Sequence, residues 1–251
     1  MVKYVGIVNV TPDSFSDGGK YLAADAAVKR ARELADAGAS IIDIGAQSTR
    51  PRAEYLSADE EWQRLEPLLT QLADSPFEIS IDTFHPEVIR RAMRLIPNLI
   101  INDVTTAHDP DMRQLIADSG LRVILSHLPY SVEGDIQAAH SLAEPTDDVR
   151  VVVRELRERQ QQLIDMGAKH EQIILDPGIG FGKTMRLNNE LVEFAQHIDD
   201  MPVLIGFSRK RFIKQYLGLD RYSIEVNRSL LERATGSGAS YIRVHDTELT
   251  S

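Results

Sequence analysis

DAAVKRARELADAGASIIDIG, residues 25–45, decides the fold class. Its first part (25–38) interleaves apolar and charged residues at helical spacing and stops at Gly38, a usual C-terminal signal. Its second part, SIIDIG (40–45), is a short, nearly unbroken apolar run. A strand in a parallel sheet buried on both faces reads this way, because neither face meets water. Working outward, the same kind of run recurs as YVGIVNV (4–10), EISIDT (78–83), LIINDV (99–104), RVILSH (122–127), QIILDP (172–177), PVLIGF (202–207) and YIRVHD (241–246). Helical patterns separate them. One of these, SADEEWQRLEPLLTQLA (57–73), opens with Ser57 and Glu60 spaced as a capping box. Eight β/α repeats in a 251-residue chain predict an α/β protein of the (β/α)8 TIM-barrel type. An open, doubly wound sheet has the same rhythm, and repeat count alone does not separate the two.

No linker or composition break interrupts the pattern, so residues 1–251 read as a single domain. The longest connection, 128–148, is polar and loop-like. Five residues follow the eighth run, too few for an eighth helix, and the expectation is a barrel whose groove between first and last strands is covered by something else.

Composition excludes several classes. The chain has 43% hydrophobic residues, no cysteine and a formal net charge of −10. Disulfides and thiolate chemistry are therefore excluded. An acidic chain does not suit the phosphate backbone of a nucleic acid, so no nucleic-acid partner is expected. No apolar run approaches a membrane span, and the N-terminus enters a strand at once; a cytoplasmic location and no membrane partner are expected. Positive charge is local, in TRPR (49–52), SRKR (208–211) and IRVH (242–245). Such clusters focus small anions into a cleft.

Barrel chemistry collects at the C-terminal ends of strands. Nearly every run here ends in a residue unsuited to a core: Asn9, Asp43, Asp82, Asn102 with Asp103, His127, Asp176, Ser208, and Arg243 with His245. Singly, each reads equally well as a strand-end cap; Asp43 also reads as structural, and His127 as a local hydrogen-bonding residue. Together, Asp82, Asn102 and Asp176 suit a flat heterocycle with an N–H and NH₂ edge, because a carboxylate accepts two such hydrogen bonds at once. Lys210, Arg243, His245 and Arg50 supply cations for a diphosphate. DPGIGFGK (176–183) lacks the spacing of a phosphate-binding P-loop. Its glycines are expected to let backbone pass close to a bound ring.

With these residues in place, the chain resembles the dihydropteroate synthase family over essentially its whole length. The resemblance rests on GIVNVTPDSFSDGG (6–19), STRP (48–51), SIDT (80–83), IND (101–103), LDPGIGFGK (175–183), SRK (208–210) and RVHD (243–246). It implies a transferase that joins 7,8-dihydropterin-6-ylmethyl pyrophosphate to p-aminobenzoate. Asp82, Asn102, Asp176 and Lys210 would hold the pterin, and Asn9 would ligate Mg²⁺ as cofactor. Arg243 and His245, helped by Thr49 and Arg50, would grip the pyrophosphate. Phe15, Pro51 and Phe181 would flank p-aminobenzoate, with its carboxylate at Ser208 and the following helix N-terminus. The acids Asp13 and Asp17 resemble those that help close the site. The family's homodimer, formed through its last helices, is expected here in a form altered by the short C-terminus. Gln47 stands where many members have Glu, and Leu128 where Met is usual. Two readings compete: a pterin-dependent methyltransferase, and a paralogue that binds pterin without turnover.

Overall fold

The computed structural model describes residues 2–10, 20–246 and 249. Eight parallel strands form one sheet: β1 (Lys3–Asn9), β2 (Ala39–Gly45), β3 (Glu78–Asp82), β4 (Ile100–Asp103), β5 (Arg122–Ser126), β6 (Ile173–Asp176), β7 (Leu204–Ile205) and β8 (Tyr241–Val244). Their order is β6-β5-β4-β3-β2-β1-β8-β7. The two ends of that order meet at a parallel bridge between Leu175 and Val203, where Leu175 N–H donates to the Pro202 carbonyl at 2.9 Å. That contact distinguishes a barrel from an open sheet.

Why the strands read as continuous apolar runs follows from where alternate residues go. One set, including Ile42, Ile44, Ile81, Leu125 and Leu175, packs outward into the large core beneath the helices. The other set points into the barrel. Val5, Ile41, Ile100, Ile124, Ile174 and Leu204, one from each of six strands, make a separate apolar floor. Each such side chain, fully removed from water, contributes on the order of 2 kcal/mol. Two residues further along their strands, the inward positions are Asp43, Asn102, Ser126 and Asp176. The barrel therefore changes from apolar to polar within one repeat of the pleat.

Nine helices occur among the described residues: α1 (Lys20–Asp36), α2 (Ala58–Leu72), α3 (Pro86–Ala92), α4 (Pro110–Ser119), α5 (Ile136–Ala139), α6 (Val149–Asp165), α7 (Met185–Glu190), α8 (Arg211–Gln215) and α9 (Ile224–Gly236). The capping box at α2 forms: Glu60 N–H donates to Ser57 Oγ at 3.3 Å and Ser57 N–H to Glu60 Oε2 at 2.8 Å. No α-helix follows β8 among the described residues, and no helix among them is long and apolar enough to cross a membrane. On the side of the first and last strands, Arg30 of α1 donates to the His245 carbonyl at 2.7 Å.

The long β5–α6 connection departs from the loop its polarity predicts. It holds a 3-10 turn (Tyr130–Val132) and α5. Leu128, Val132, Ile136 and Ala139 pack with Val104 and Phe181 into a small apolar cluster of their own. Those apolar residues are spread singly through a polar string, so no window of the sequence shows a hydrophobic face.

Candidate active site in the barrel mouth

The polar layer is built by register. β2 sets Asp43 beside Ser80 of β3, and Gly45 beside Asp82; β3 sets Asp82 beside Asn102; β5 sets Ser126 beside Asp176. Gly45 has a steric reason. A Cβ there would stand 3.1 Å from the Asp82 Cβ, so any larger residue would displace that carboxylate.

Asp43 is the hub. Its Oδ1 accepts from Ser80 Oγ at 2.6 Å, its Oδ2 accepts from Asn102 Nδ2 at 2.9 Å, and Arg243 Nη1 lies 3.5 Å from Oδ2. Arg243 Nη2 donates to Asp176 Oδ2 at 2.8 Å. Asp43, Asp82, Asn102, Asp176 and Arg243 thus come together from five strands. The sequence offers Asp43 both as a strand-end acid and as a structural residue; in the fold it holds the amide of Asn102 and the guanidinium of Arg243. Three buried atoms of this layer have no hydrogen-bond partner: Asn102 Oδ1, Ser126 Oγ and Arg243 Nη1. Buried polar atoms are rarely left so, and three of them in one layer mark a place for a polar ligand.

The electrostatics follow from crowding charges away from water. Burial, then the charge of Asp43, pushes the Asp82 carboxyl up to about 8, against the opposing pull of Arg243 and Lys210. Burial likewise raises Asp43. Burial works against the charge on Arg243, but Asp176, Asp43 and Asp82 more than offset it and keep the guanidinium protonated. Lys210, which precedes α8, is brought down to about 8 by burial and by Arg243. Its Nζ sits 4.9 Å from the centroid of the Phe181 ring, a cation–π approach. Lys210 therefore links the acid layer to Phe181.

His245 lies just past β8, where its Nδ1 is 3.1 Å from Ser208 Oγ. Burial, followed by Arg209 and Lys210, lowers it to about 4, so in the free protein it is neutral above that pH. It offers a hydrogen bond rather than the positive charge that the sequence suggests. The Arg243 guanidinium lies among Asp43 and Asp176, with its Nη1 left without a hydrogen bond. Asn9, at the exposed tip of β1, stands beside Gly45. Among the described residues no cluster of three His, Cys, Asp or Glu forms a ready metal site. A lone amide oxygen fits Mg²⁺ only where anionic substrate oxygens and water complete the octahedron. Phe15, Asp13 and Asp17 lie outside the described residues.

Thr49, Arg50 and Pro51 lie on the β2–α2 loop. Gln47 braces this loop from within: its Oε1 accepts from Leu56 N–H at 2.7 Å, and its Nε2 donates to Ser48 and Glu54 carbonyls at 3.0 and 3.2 Å. Glu, with no donor, could not make the last two bonds.

The glycines of DPGIGFGK serve the protein more than a ligand. Gly178 has φ +64°, and a Cβ there would fall 2.0 Å from the His127 carbonyl oxygen. Lys183 Nζ fastens the same segment by donating to the carbonyls of His127, Gly178 and Phe181 at 3.2, 3.0 and 2.9 Å. It faces backbone instead of a phosphate, in keeping with the wrong P-loop spacing. His127 Nε2 meets Glu155 Oε2 at 3.1 Å, and burial lowers its pKa to about 4.

The sequence matches the family of pterin binding enzymes over residues 5–245. It is 38% identical to the dihydropteroate synthase of Escherichia coli K12 over 255 residues, covering 98% of this chain and 87% of that one. Identity to the Bacillus subtilis dihydropteroate synthase is 36%, covering 97% and 83% of the two chains. The fold superimposes on the Xanthomonas albilineans dihydropteroate synthase solved with 4-aminobenzoic acid, at TM-score 0.87 and 36% identity, covering 99% and 89%. The same enzyme has been solved with 7,8-dihydropteroate; that structure gives TM-score 0.84 and 34% identity, again covering 99% and 89%. A family match over residues 5–245, identity of 34–38% to these relatives and a common fold along nearly the entire length agree: this chain belongs to the pterin binding enzyme family, among the dihydropteroate synthases.

Proposed function

We propose that the barrel mouth binds 7,8-dihydropterin-6-ylmethyl pyrophosphate and transfers its pterin-methyl group to p-aminobenzoate, releasing pyrophosphate. The observation that carries this reading is the polar layer itself. Carboxyl groups on three strands, an amide held by Asp43 and a guanidinium with a free N–H converge on a floor of aliphatic side chains. A flat ring with a donor-rich edge satisfies Asp82, Asn102 and Asp176, while its faces contact apolar atoms.

The reaction then asks little proton chemistry of the protein. The bond between the methylene carbon and the diphosphate oxygen breaks with its electron pair leaving on oxygen. The cationic methylene that remains is conjugated with the pterin, which spreads its charge over the ring. The neutral arylamine attacks this carbon; a C–N bond forms, and the surplus amine proton passes to the departing diphosphate or to water. Lys210, Arg243 Nη1, neutral His245, Thr49 and Arg50 are the residues we assign to the developing diphosphate charge, where preorganised donors act most strongly. Asn9 would hold Mg²⁺ together with the substrate's own oxygens, and the bound ion would neutralise part of the leaving group's charge. Phe181 and Pro51 are assigned to the aminobenzoate ring and Ser208 to its carboxylate.

The test is product formation: pyrophosphate released from the dihydropterin pyrophosphate in the presence of p-aminobenzoate and Mg²⁺, with dihydropteroate followed by chromatography. Equal amounts of the two products, dependent on Mg²⁺, are expected. Pterin affinity without dihydropteroate would overturn the synthase in favour of a binding protein.

A further inference from the structure

The β2–α2 loop is fixed from outside by a segment with no assigned role. Gln137, at the start of α5, acts as a two-pronged clip: its Nε2 donates to the Arg50 carbonyl at 3.0 Å and its Oε1 accepts from Arg52 N–H at 2.7 Å. His140, one residue past α5, meets the Thr49 carbonyl through Nε2 at 2.8 Å; as the acceptor is a carbonyl, Nε2 carries the proton. The Tyr55 hydroxyl donates to Asp135 Oδ1 at 2.9 Å and accepts from Gln137 N–H at 3.0 Å. Five hydrogen bonds thus join residues 49–55 to residues 135–140, across 80 to 91 positions of sequence.

Three further observations indicate that these bonds set a position. Arg52 has φ 66°, a left-handed conformation that costs a non-glycine residue energy and persists only when its surroundings impose it. α5 is anchored beneath by Ile136 and Ala139, which pack with Phe181 in one apolar cluster. The His140 ring lies 6.1 Å from the Phe181 ring, centroid to centroid. One rigid unit therefore holds both Phe181 and the backbone of Thr49 and Arg50.

We propose that Gln137 and His140 are positioning residues that latch the β2–α2 loop over the barrel mouth, aligning Thr49, Arg50 and Pro51 with Phe181 for the second substrate. This rests on the synthase reading for its kinetic consequence. The structural part, that the latch orders residues 49–55, stands apart from it.

The experiment compares the full-length chain with Gln137→Met, which removes both prongs, Gln137→Glu, which keeps only the acceptor, and His140→Phe, which keeps the ring and loses the donor. Hydrogen exchange read by mass spectrometry on peptides covering 49–55 is expected to accelerate about tenfold in Gln137→Met, and less in Gln137→Glu, as loss of two neutral hydrogen bonds implies. In the same variants KM for p-aminobenzoate should rise by about tenfold with a smaller change in kcat, while calorimetric affinity for a pterin lacking the diphosphate, and Tm, stay at the wild-type level. Unchanged exchange over 49–55 in Gln137→Met would overturn the latch. Faster exchange with an unmoved KM would overturn its role in positioning. A wild-type chain that formed no dihydropteroate would sink the synthase reading instead, and exchange alone would still decide whether the latch exists.

Discussion

At the scale of single residues, Lys210 and Asp43 separate function from stability in opposite ways. Lys210 is a half-buried cation kept short of its usual pKa, among Arg243 and the acids it faces. Removing it relieves a desolvated charge, so Lys210→Ala should leave Tm within a few degrees of wild type. The same change should lower kcat/KM by roughly 10²–10³, the scale for losing one preorganised electrostatic contact. Steady-state kinetics beside thermal unfolding checks this. Asp43→Ala should behave differently. It strands Ser80, Asn102 and Arg243 at once, and a buried guanidinium left short of a partner costs about 3–5 kcal/mol, readable as a fall in urea midpoint. Asp82, Asn102, Asp176 and Lys210 were legible because each sits inside a motif that resembles the family. Asp43 was legible in kind but not in role. The repeat apolar–x–polar in Ile41-Ile42-Asp43, Ile100-Ile101-Asn102 and Ile174-Leu175-Asp176 puts all three polar residues at one height. Only the register between strands reveals that Asp43 bonds to its neighbours. The neutrality of His245 was not legible at all, because it depends on burial and on charges from other segments.

At the scale of elements, α2 carries a titration that shapes the pH dependence of folding. Glu61 is fully buried against β3, accepts from Thr83 Oγ1 at 2.7 Å, and is raised by burial to about 7. A carboxyl whose pKa is raised by folding binds its proton more tightly in the native state. Its stabilising effect is thus complete below the unfolded-state pKa near 4.5 and is lost as pH climbs to about 7. Glu61→Gln retains an acceptor for Thr83 and removes the titration. Urea unfolding should find variant and wild type close at pH 5, with the variant more stable by about 2–3 kcal/mol at pH 8. A second comparison concerns the β6–α7 segment. Gly120 and Gly178 have similar positive φ, +70° and +64°, but a Cβ at Gly120 meets nothing within 4 Å whereas one at Gly178 strikes the His127 carbonyl. Gly120→Ala should cost about 1–2 kcal/mol from backbone strain alone, and Gly178→Ala at least twice that, by urea midpoints. The strands, α2 and its cap could be read from local pattern because parallel strands and capping boxes are local signals. The docking of α5 onto the β2–α2 loop could not. It depends on Gln137 meeting backbone atoms of residues far away in sequence, and a polar side chain bonded to backbone leaves no periodic trace.

At the scale of the whole molecule, the account reduces to a division of the barrel interior. An aliphatic floor closes the lower half, and a layer of acids, an amide and a guanidinium crosses the upper half, with cations on the loops above. The chain is strongly acidic overall, with a formal net charge of −10, and places Lys210 and Arg243 inside this mouth. A field of this shape draws in an anion only by local focusing, so KM for the pyrophosphate substrate should rise severalfold between low and physiological ionic strength, measured in the same assay. The number of repeats made a β/α protein of barrel size legible in advance, but closure rests on a bridge between β6 and the residue before β7 that no sequence pattern marks. The most direct measurement is a crystal structure of the chain with 6-hydroxymethyl-7,8-dihydropterin pyrophosphate bound. The account predicts the pterin ring lying on the aliphatic floor, its N–H edge bonded to Asp82, Asn102 and Asp176, and its diphosphate at Asn9, Lys210, Arg243, His245 and the β2–α2 loop. A ring bound elsewhere, or seated with its donor edge turned from those three residues, would contradict it.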